Sequence, residues 1–319
     1  MPITFAQAQQ LSQPKLTKSV IDQFRTSALI DNLIFDNTIK AAGGNSLDYV
    51  YNRVTTSPNA ANRVLNADYT ASEAVTTAIV SRLGIFGGSF QLDRALIAGE
   101  HEVVDHVQFQ VQQKVKATIA QFHNQFINGN QAAPVIPNAW EFDGLNVLLT
   151  GGAQEVIPVA NIMLDTSANI TANWQTFLDN LRDLEAAMDG APSVYLMNNA
   201  MFSRFQSVMD RAGINLASKE NYGRQVAIWG ESLVMALGQA PGGGNIIATD
   251  GAGLTSIYAV RIGLDGVHGT SLSGGKLAEV YLPNMQDAAA VKTGSVEMIA
   301  GLAYKSTQSA AVLRNIDIA

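Results

Sequence analysis

Four histidines are the residues best suited to metal or acid–base chemistry: His101, His106, His123 and His268. The segment HEVVDH at 101–106 has the composition of a metalloprotease motif, which needs two histidines four residues apart on one helix face. Here the spacing is five, which turns the two rings about 140° apart on a helix. Glu102 and Asp105 could add only a loose surface cation site. We therefore interpret the segment as a solvated or subunit-facing helix start and predict no metal ligands.

The glycine-rich and serine-containing segments do not match the motifs of cofactor or nucleophile sites. A phosphate-binding loop around SGGKL would need glycine at 270 and serine or threonine at 277, where the chain has Thr270 and Leu277. PGGGN at 241–245 lacks the strand-to-helix setting of a dinucleotide site. A nucleophile elbow around Ser89 would need glycine where Gln91 stands. The sequence predicts no catalytic and no cofactor-binding residues, no cofactor, and a protein that is not an enzyme.

The composition describes an acidic, poorly charged chain. Charged residues make up 15% of the 319 residues, against roughly 25% in an average soluble domain. The formal net charge of −7 argues against a general nucleic-acid binder, and the absence of cysteine excludes disulfides and thiolate chemistry. No stretch approaches the ~18 apolar residues of a membrane span, and the first residues do not resemble a signal peptide. We expect about two domains, no membrane partner and synthesis in the cytoplasm.

The first half of the chain predicts an arm, a two-stranded excursion and one long helix. Residues 17–35 carry apolar side chains at near-helical spacing. Two β-rich runs, beginning at Ser46 and at Val75, flank a polar segment and predict a long two-stranded loop. From 100 to 128 a helical stripe ends before Gly129, a C-terminal capping residue. The stripe consists of Val104, Val107, Val111, Val115, Ile119, Phe122 and Phe126.

The second half predicts an α+β arrangement. An amphipathic helix over 174–189 places Asp183 and Glu185 on its exposed face, and SVYLM at 193–197 predicts a buried strand. An asparagine cap then begins a helix that stops at Gly213. Short β-like runs predominate from 224 onward: RQVAIWG, NIIATD, TSIYAVRIG, KLAEVYLP, AAAVKTGSVEMIA and AAVLRNIDI.

The order of these elements resembles the major capsid proteins of tailed bacteriophages, the family with the Hong Kong 97-type capsid fold. GIFGGSFQLDR at 84–94 looks like the strand before that family's long "spine" helix, and NAWEFDGLNVLL at 138–149 resembles the turn after it. The strand and helix of the family's axial domain resemble the segment SVYLMNNAMFSRFQSV at 193–208. A strand and turn found in one branch of the family is similar to LTSIYAVRIGLDGVHG at 254–269. The resemblance runs over nearly the whole chain, and it depends on the order of the motifs.

The resemblance implies an α+β fold with five parts. These are an N-terminal arm (1–45), an extended two-stranded loop (46–85), a peripheral domain (86–170) with the spine helix at 100–128, an axial domain (171–284) and return strands of the peripheral domain (285–319). It implies pentamers and hexamers that form an icosahedral shell around packaged phage dsDNA. The expected location is the virion capsid, assembled in the host bacterial cytoplasm with a portal and an optional decoration protein. The alternative is an encapsulin-type nanocompartment that encloses cargo enzymes.

Two departures from the family make these expectations more specific. Some members join subunits through a loop lysine, but this chain has no lysine between Lys40 and Lys114. We therefore expect no such covalent crosslink. Some members begin with a long, cleaved scaffolding segment, whereas the amphipathic arm here starts near residue 17, so we expect a separate scaffolding protein. Arg53, Arg63 and Arg82 in the loop region are candidate subunit contacts or, alternatively, plain surface charges.

Overall fold

The computed structural model describes residues 28–38, 46–93, 102–221, 224–272, 277–284 and 286–319. The helices are α1 (Ala28–Asn32), α2 (Glu102–Asn128), α3 (Leu145–Leu149), α4 (Ser167–Ala186) and α5 (Asn199–Arg211). The strands are β1 (Phe35–Asn37), β2 (Asp48–Thr56), β3 (Val75–Arg82), β4 (Gly84–Asp93), β5 (Glu155–Val156), β6 (Ile162–Met163), β7 (Val194–Met197), β8 (Ala217–Asn221), β9 (Arg224–Trp229), β10 (Ser232–Ala236), β11 (Leu254–Val260), β12 (Val267–Ser271), β13 (Ala278–Tyr281), β14 (Val291–Tyr304) and β15 (Ala310–Asp317).

The predicted two-stranded loop is present as an isolated antiparallel pair of β2 and β3, with partners running from Asp48↔Arg82 to Thr56↔Val75. Residues 57–74 connect the two strands and are exposed to solvent. After β3 the chain passes through Leu83, which is fully buried, and enters β4. Leu83 is thus the boundary between the exposed strand pair and the body of the protein, because its side chain is buried in the body.

The smaller sheet is organised around β14, the longest strand in the described part of the chain. Ten residues of β4, Gly84 to Asp93, pair with the whole first part of β14. β13 pairs along the other edge of β14, and β12 continues along that edge, with β1 beyond it. Gly87 is required in β4 because a Cβ there would lie 2.0 Å from the carbonyl oxygen of Val296.

The spine helix α2 confirms the strongest helical prediction from the sequence. It has 27 residues, so it is about 40 Å long at the α-helical rise of about 1.5 Å per residue. The apolar stripe from Val107 to Phe126 is buried, and Val111, Val115, Phe122 and Phe126 are fully inaccessible. This stripe packs against β4 and β14 in one continuous hydrophobic core.

The larger sheet has β7 near its centre, in the order β5-β15-β11-β7-β10-β9-β8, and β6 also pairs with β15. Both faces of β7 are covered: Val194 and Leu196 belong to the core that contains the spine helix, and Tyr195 and Met197 belong to a second core with α4 and α5. Burial on both faces explains why the sequence reads as a continuous apolar run rather than an alternating one.

Helix α5 begins and ends as the sequence predicts. The Asn198 side chain caps it by accepting a hydrogen bond of 2.6 Å from the Met201 amide. The helix is followed by Gly213 at φ +70°, a conformation that glycine adopts without steric cost. Met201, Phe205, Val208 and Met209 are buried against the sheet.

Several element predictions need correction. Only residues from 28 onward in the predicted 17–35 helix are described, and there the helix ends at Asn32 because the chain joins the smaller sheet as β1. Helix α4 begins at Ser167 rather than 174, since Thr166 caps it, and ends at Ala186. The NIIATD run at 245–250 forms no strand. Its Ile246 and Ile247 are buried, but the backbone bends there, and only Asn245 forms an isolated bridge, with Gln239.

Strands β8, β10 and β12 were not predicted from the sequence. Their runs are short and lie beside glycines, so periodicity gives little signal there. The final strands also divide between the sheets: β14 lies in the smaller sheet, and β15 lies in the larger sheet between β11 and the short β5 and β6.

Candidate functional site

The root of the two-stranded loop is fixed to the end of β14 by side chains on one face of β2. The Tyr51 hydroxyl donates to the carbonyl oxygen of Tyr304 at 2.7 Å. The Arg53 guanidinium donates to the carbonyl oxygens of Tyr304 and Lys305 and lies over the Tyr304 ring. Ser81 on β3 donates to the carbonyl oxygen of Leu302. The inner face of the loop, which carries Tyr51, Arg53 and Ser81, therefore packs against the end of β14 in the same chain.

The opposite face of the same strand pair is exposed and carries several apolar side chains. Val50 and Val80 are direct cross-strand partners, and their side chains are 59% and 56% exposed. Val54 lies on the same face, because alternate residues of a strand point to the same side. It is 55% exposed. A two-stranded sheet with one face on its own chain and an apolar outer face has a surface suited to a second protein.

The tip of the loop (residues 57–74) is a polar segment that nevertheless exposes large apolar side chains. Val64 and Leu65 are 76% and 84% exposed. Arg63 donates a 3.0 Å hydrogen bond to the carbonyl oxygen of Ala67, and its guanidinium lies over the Tyr69 ring. These contacts give the tip a local structure, although none of them buries its apolar side chains.

A second surface feature lies beside the spine helix, where a groove of about 380 Å³ runs between α2, β4 and residues 136–141. Its outer wall includes Trp140, whose ring is covered by the Arg82 guanidinium at 4.4 Å. The Gln125 side chain is 5% exposed, and its Oε1 has no hydrogen-bond partner in the described part of the chain. The groove thus combines apolar walls with a buried acceptor.

The three arginines singled out from the sequence occupy different settings. Arg53 and Arg82 are engaged within the chain, at the β14 end and on Trp140, so neither is a plain surface charge, and their role in a subunit contact stays a prediction. Both lie near the root of the loop, where the strands are close enough to the body for such contacts. Arg63 alone of the three lies at the exposed tip, and its role in a subunit contact stays a prediction.

The acidic pair on α4 also needs a correction. Asp183 is exposed as predicted, but Glu185 is only partly exposed and accepts a hydrogen bond from the Tyr195 hydroxyl. Burial, together with this hydrogen bond, raises the pKa of Tyr195 well above its ordinary value. Sequence periodicity missed this contact because Tyr195 comes from the buried strand β7, which periodicity does not place beneath α4.

The candidate chemical motifs do not come together in the described part of the chain. His101 and the side chains of Glu102, Asp105 and His106 lie outside it, as does the segment 273–276. Ser89 lies in β4, paired with Ser295, and Gly242 and Gly243 form a turn at positive φ. Within the described residues, no group of three or more potential ligands could hold a metal ion. No helix there has the length and apolarity needed to cross a membrane.

Comparison with solved structures identifies the fold. The chain is similar to the encapsulin SrpI of Synechococcus elongatus PCC 7942, at 15% identity, 92% of this chain, 89% of that chain and a TM-score of 0.63. It is similar to the capsid of a native GTA particle at 13% identity, 91% and 90% coverage and a TM-score of 0.55. It is also similar to the capsid of Myoviridae phage XM1 at 12% identity, 88% and 89% coverage and a TM-score of 0.53. No protein family model and no curated protein sequence matches.

The chain therefore has the Hong Kong 97-type capsid fold, as its sequence resemblance indicates. The likeness covers 88–92% of this chain and 89–90% of the other chain in these three comparisons, so it concerns the fold as a whole rather than one part of it. Because the sequence identities are only 12–15%, these similarities show the fold alone and not the function.

Proposed function

We propose that this chain is a shell protein that assembles with copies of itself, and specifically the major capsid protein of a tailed phage head. The observation that carries the proposal is the two-stranded loop, whose inner face is bound to its own chain and whose outer face and tip expose large apolar side chains. Exposed apolar area of this kind is costly on a free protein and is covered in an assembly. Copies of the same chain are the partners that a closed symmetric shell provides.

The proposed organisation follows the five parts expected from the sequence. The arm and loop (1–45 and 46–85) reach neighbouring subunits, the peripheral domain contains the spine helix, and the axial domain (171–284) packs around five-fold and six-fold axes. A separate scaffolding protein and a portal complete the assembly, with a decoration protein as an optional addition. The acidic chain, with a net charge of −7, encloses dsDNA without binding it tightly, because such binding depends on phosphate-contacting cations. The assembly forms in the host cytoplasm and becomes the virion capsid.

The second candidate is an encapsulin-type shell that encloses cargo enzymes. It is favoured by the similarity to SrpI, whose TM-score of 0.63 exceeds the 0.55 and 0.53 of the two capsids. Both candidates are non-enzymatic containers, so they differ in contents rather than in chemistry. Particles assembled in their native host distinguish them: packaged dsDNA supports the phage head, and an enclosed enzyme supports the nanocompartment.

Electron microscopy of the chain, expressed alone and with its candidate scaffolding protein, tests shell formation. Closed icosahedral particles are expected. The variant Leu65→Asp should greatly reduce particle yield, because a charge at the tip must be desolvated in a subunit contact. Val159→Asp is the matched control, since Val159 is fully exposed outside the loop. Assemblies no larger than a dimer, or equal loss with both variants, would contradict the proposal.

A further inference from the structure

The tip of the two-stranded loop contains a turn that presents Leu65 to solvent. The Ala67 amide donates to the carbonyl oxygen of Val64 at 3.1 Å, so Leu65 and Asn66 are the central residues of a β-turn. Asn66 has φ +68°, a left-handed conformation that asparagine adopts more readily than most residues. Leu65 is 84% exposed. The turn therefore holds a large apolar side chain outside any core of its own chain.

Hydrogen bonds across the tip hold this turn in place. Arg63 donates to the carbonyl oxygen of Ala67 at 3.0 Å, and its guanidinium lies over the Tyr69 ring. The Ser72 hydroxyl donates to the carbonyl oxygen of Asn59 and accepts from the Asn59 amide, both at 2.9 Å. Because the tip is ordered in the single chain, less conformational entropy is lost when its apolar side chains are buried by a partner.

The groove between α2, β4 and residues 136–141 has exposed apolar surface of matching size. Its volume is about 380 Å³, within the range of roughly 300–1,000 Å³ for pockets that hold small molecules. Ile136 and Trp140 on its wall are 67% and 39% exposed. Gly87 and Gly88 of β4 also line it, and their lack of side chains leaves space beside the spine helix. The groove can therefore accommodate the apolar side chains of a turn.

The charges of the tip and the groove are complementary. Lys114 lines the groove, and its ammonium has no ion-pair partner among the described residues. The other charged residue of the lining, Glu141, is buried, so the accessible charge there is that of the lysine. At the tip, Asp68 directly follows the turn and is exposed. A turn that enters the groove with Leu65 therefore brings a carboxylate close to an ammonium.

The groove lies too far from the tip of the same chain to receive it. Arg82, at the root of the loop, covers the Trp140 ring on the groove wall at 4.4 Å. The eight residues of β3 separate the tip from this root by about 26 Å, at about 3.3 Å per residue. Tyr51 and Arg53 bind the root to the end of β14, which fixes the direction of the strand pair. The tip could reach its own groove only by breaking the pairing of β2 with β3.

We propose that the tip of one copy docks in the groove of a second copy, with Leu65 against Ile136 and Trp140 and with Asp68 beside Lys114. The contact is heterologous, because the tip and the groove are different surfaces. Contacts of this kind continue from copy to copy into rings or larger assemblies. The inference rests on the proposed shell function and makes it more specific, since it names the surface that receives the loop.

Disulfide trapping tests the docking, because the chain has no cysteine of its own. A Leu65→Cys chain and an Ile136→Cys chain are expressed together with the candidate scaffolding protein and oxidised. A disulfide needs Cα atoms within about 7 Å of each other, so mass spectrometry should find the 65–136 linkage. Val159→Cys replaces Ile136→Cys in the matched control, because Val159 is exposed outside the groove. The control should give about tenfold less linkage to position 65, since no contact raises the local thiol concentration.

Charge reversal tests the polar part of the contact. Lys114→Glu and Asp68→Lys should each reduce the yield of assembled particles several-fold, because like charges then face each other. The double variant restores an opposite pair, and its yield should exceed that of either single variant. Glu73→Lys is the matched control, since Glu73 is an exposed carboxylate of the tip outside the turn. It should not rescue Lys114→Glu.

The outcomes separate the docking from the shell function. Closed particles that contain the 65–136 disulfide support both. Closed particles without this disulfide, and without rescue in the double variant, would overturn the docking and leave the shell function standing. The disulfide in small oligomers, with no closed particles under any condition, would support the docking and contradict the shell function. Absence of the disulfide from small oligomers as well would overturn both.

Discussion

Arg53 on β2 donates a 2.8 Å hydrogen bond from Nε to the carbonyl oxygen of Lys305, a residue 252 positions later in the chain. The acceptor follows the end of β14, so the bond joins the base of the loop to the central strand of the smaller sheet. Tyr51 makes the same connection through Tyr304. The loop is thus oriented by one face, and the opposite face is exposed to solvent in the described part of the chain.

Replacing Arg53 by Gln should loosen the loop without unfolding the body. Hydrogen bonds from charged donors contribute about 1.5–3 kcal/mol, and the partial exposure of Arg53 favours the lower end. Amide hydrogen exchange in β2 and β3 is expected to become about tenfold faster, with little change in β7. Arg63→Gln is the control, because Arg63 contacts only the tip. Equal exchange in both variants would show that Arg53 does not orient the loop.

Asn198→Ala should destabilise the body of the protein. The Asn198 side chain accepts from the Met201 amide and donates to Thr249 and Thr255, and it is fully buried. Loss of the cap and of buried partners is expected to lower the free energy of unfolding by about 2 kcal/mol or more, measured by urea denaturation. Thr166→Ala removes the exposed cap of α4 and should cost about 1 kcal/mol or less. A smaller loss for Asn198→Ala than for Thr166→Ala contradicts this account.

The elements that the sequence predicts well are those in which local pattern and tertiary environment agree. The spine helix has a single buried stripe, and Asn198 and Gly213 mark the ends of α5 by local backbone chemistry. The loop strands are recognisable because a polar segment separates two β-rich runs. In each case the signal lies within a few residues of the element that it describes.

The features that sequence reasoning missed depend on contacts between distant residues. The roles of Arg53 and Arg82 are set by a carbonyl and an indole ring that only the fold brings near. Glu185 is paired by Tyr195 from the strand beneath its helix. The full burial of His268 is likewise a property of the packed core, and it leaves no local pattern in the sequence.

Gly144, in the turn after the spine helix, is predicted to tolerate no side chain. A Cβ at this position would lie 2.6 Å from the carbonyl oxygens of Gln125 and Ile127 and 2.7 Å from the Gly129 amide. Because these are backbone atoms, the turn must shift, and Gly144→Ala should cost about 3 kcal/mol or prevent folding. Gly251→Ala is the control, since nothing lies within 4 Å of its Cβ. Thermal unfolding measures both, and equal midpoints would refute the prediction.

Assembled particles are expected to separate into single chains on a denaturing gel. An isopeptide bond from the loop would need the neutral ε-amine of a lysine as nucleophile, and the segment from 46 to 85 contains no lysine. Its cations are Arg53, Arg63 and Arg82, whose guanidinium groups stay protonated and are poor nucleophiles at neutral pH. Boiled particles should therefore migrate as one band near 34.0 kDa. A ladder of covalent oligomers would show that another lysine supplies the bond, and mass spectrometry of crosslinked peptides would identify it.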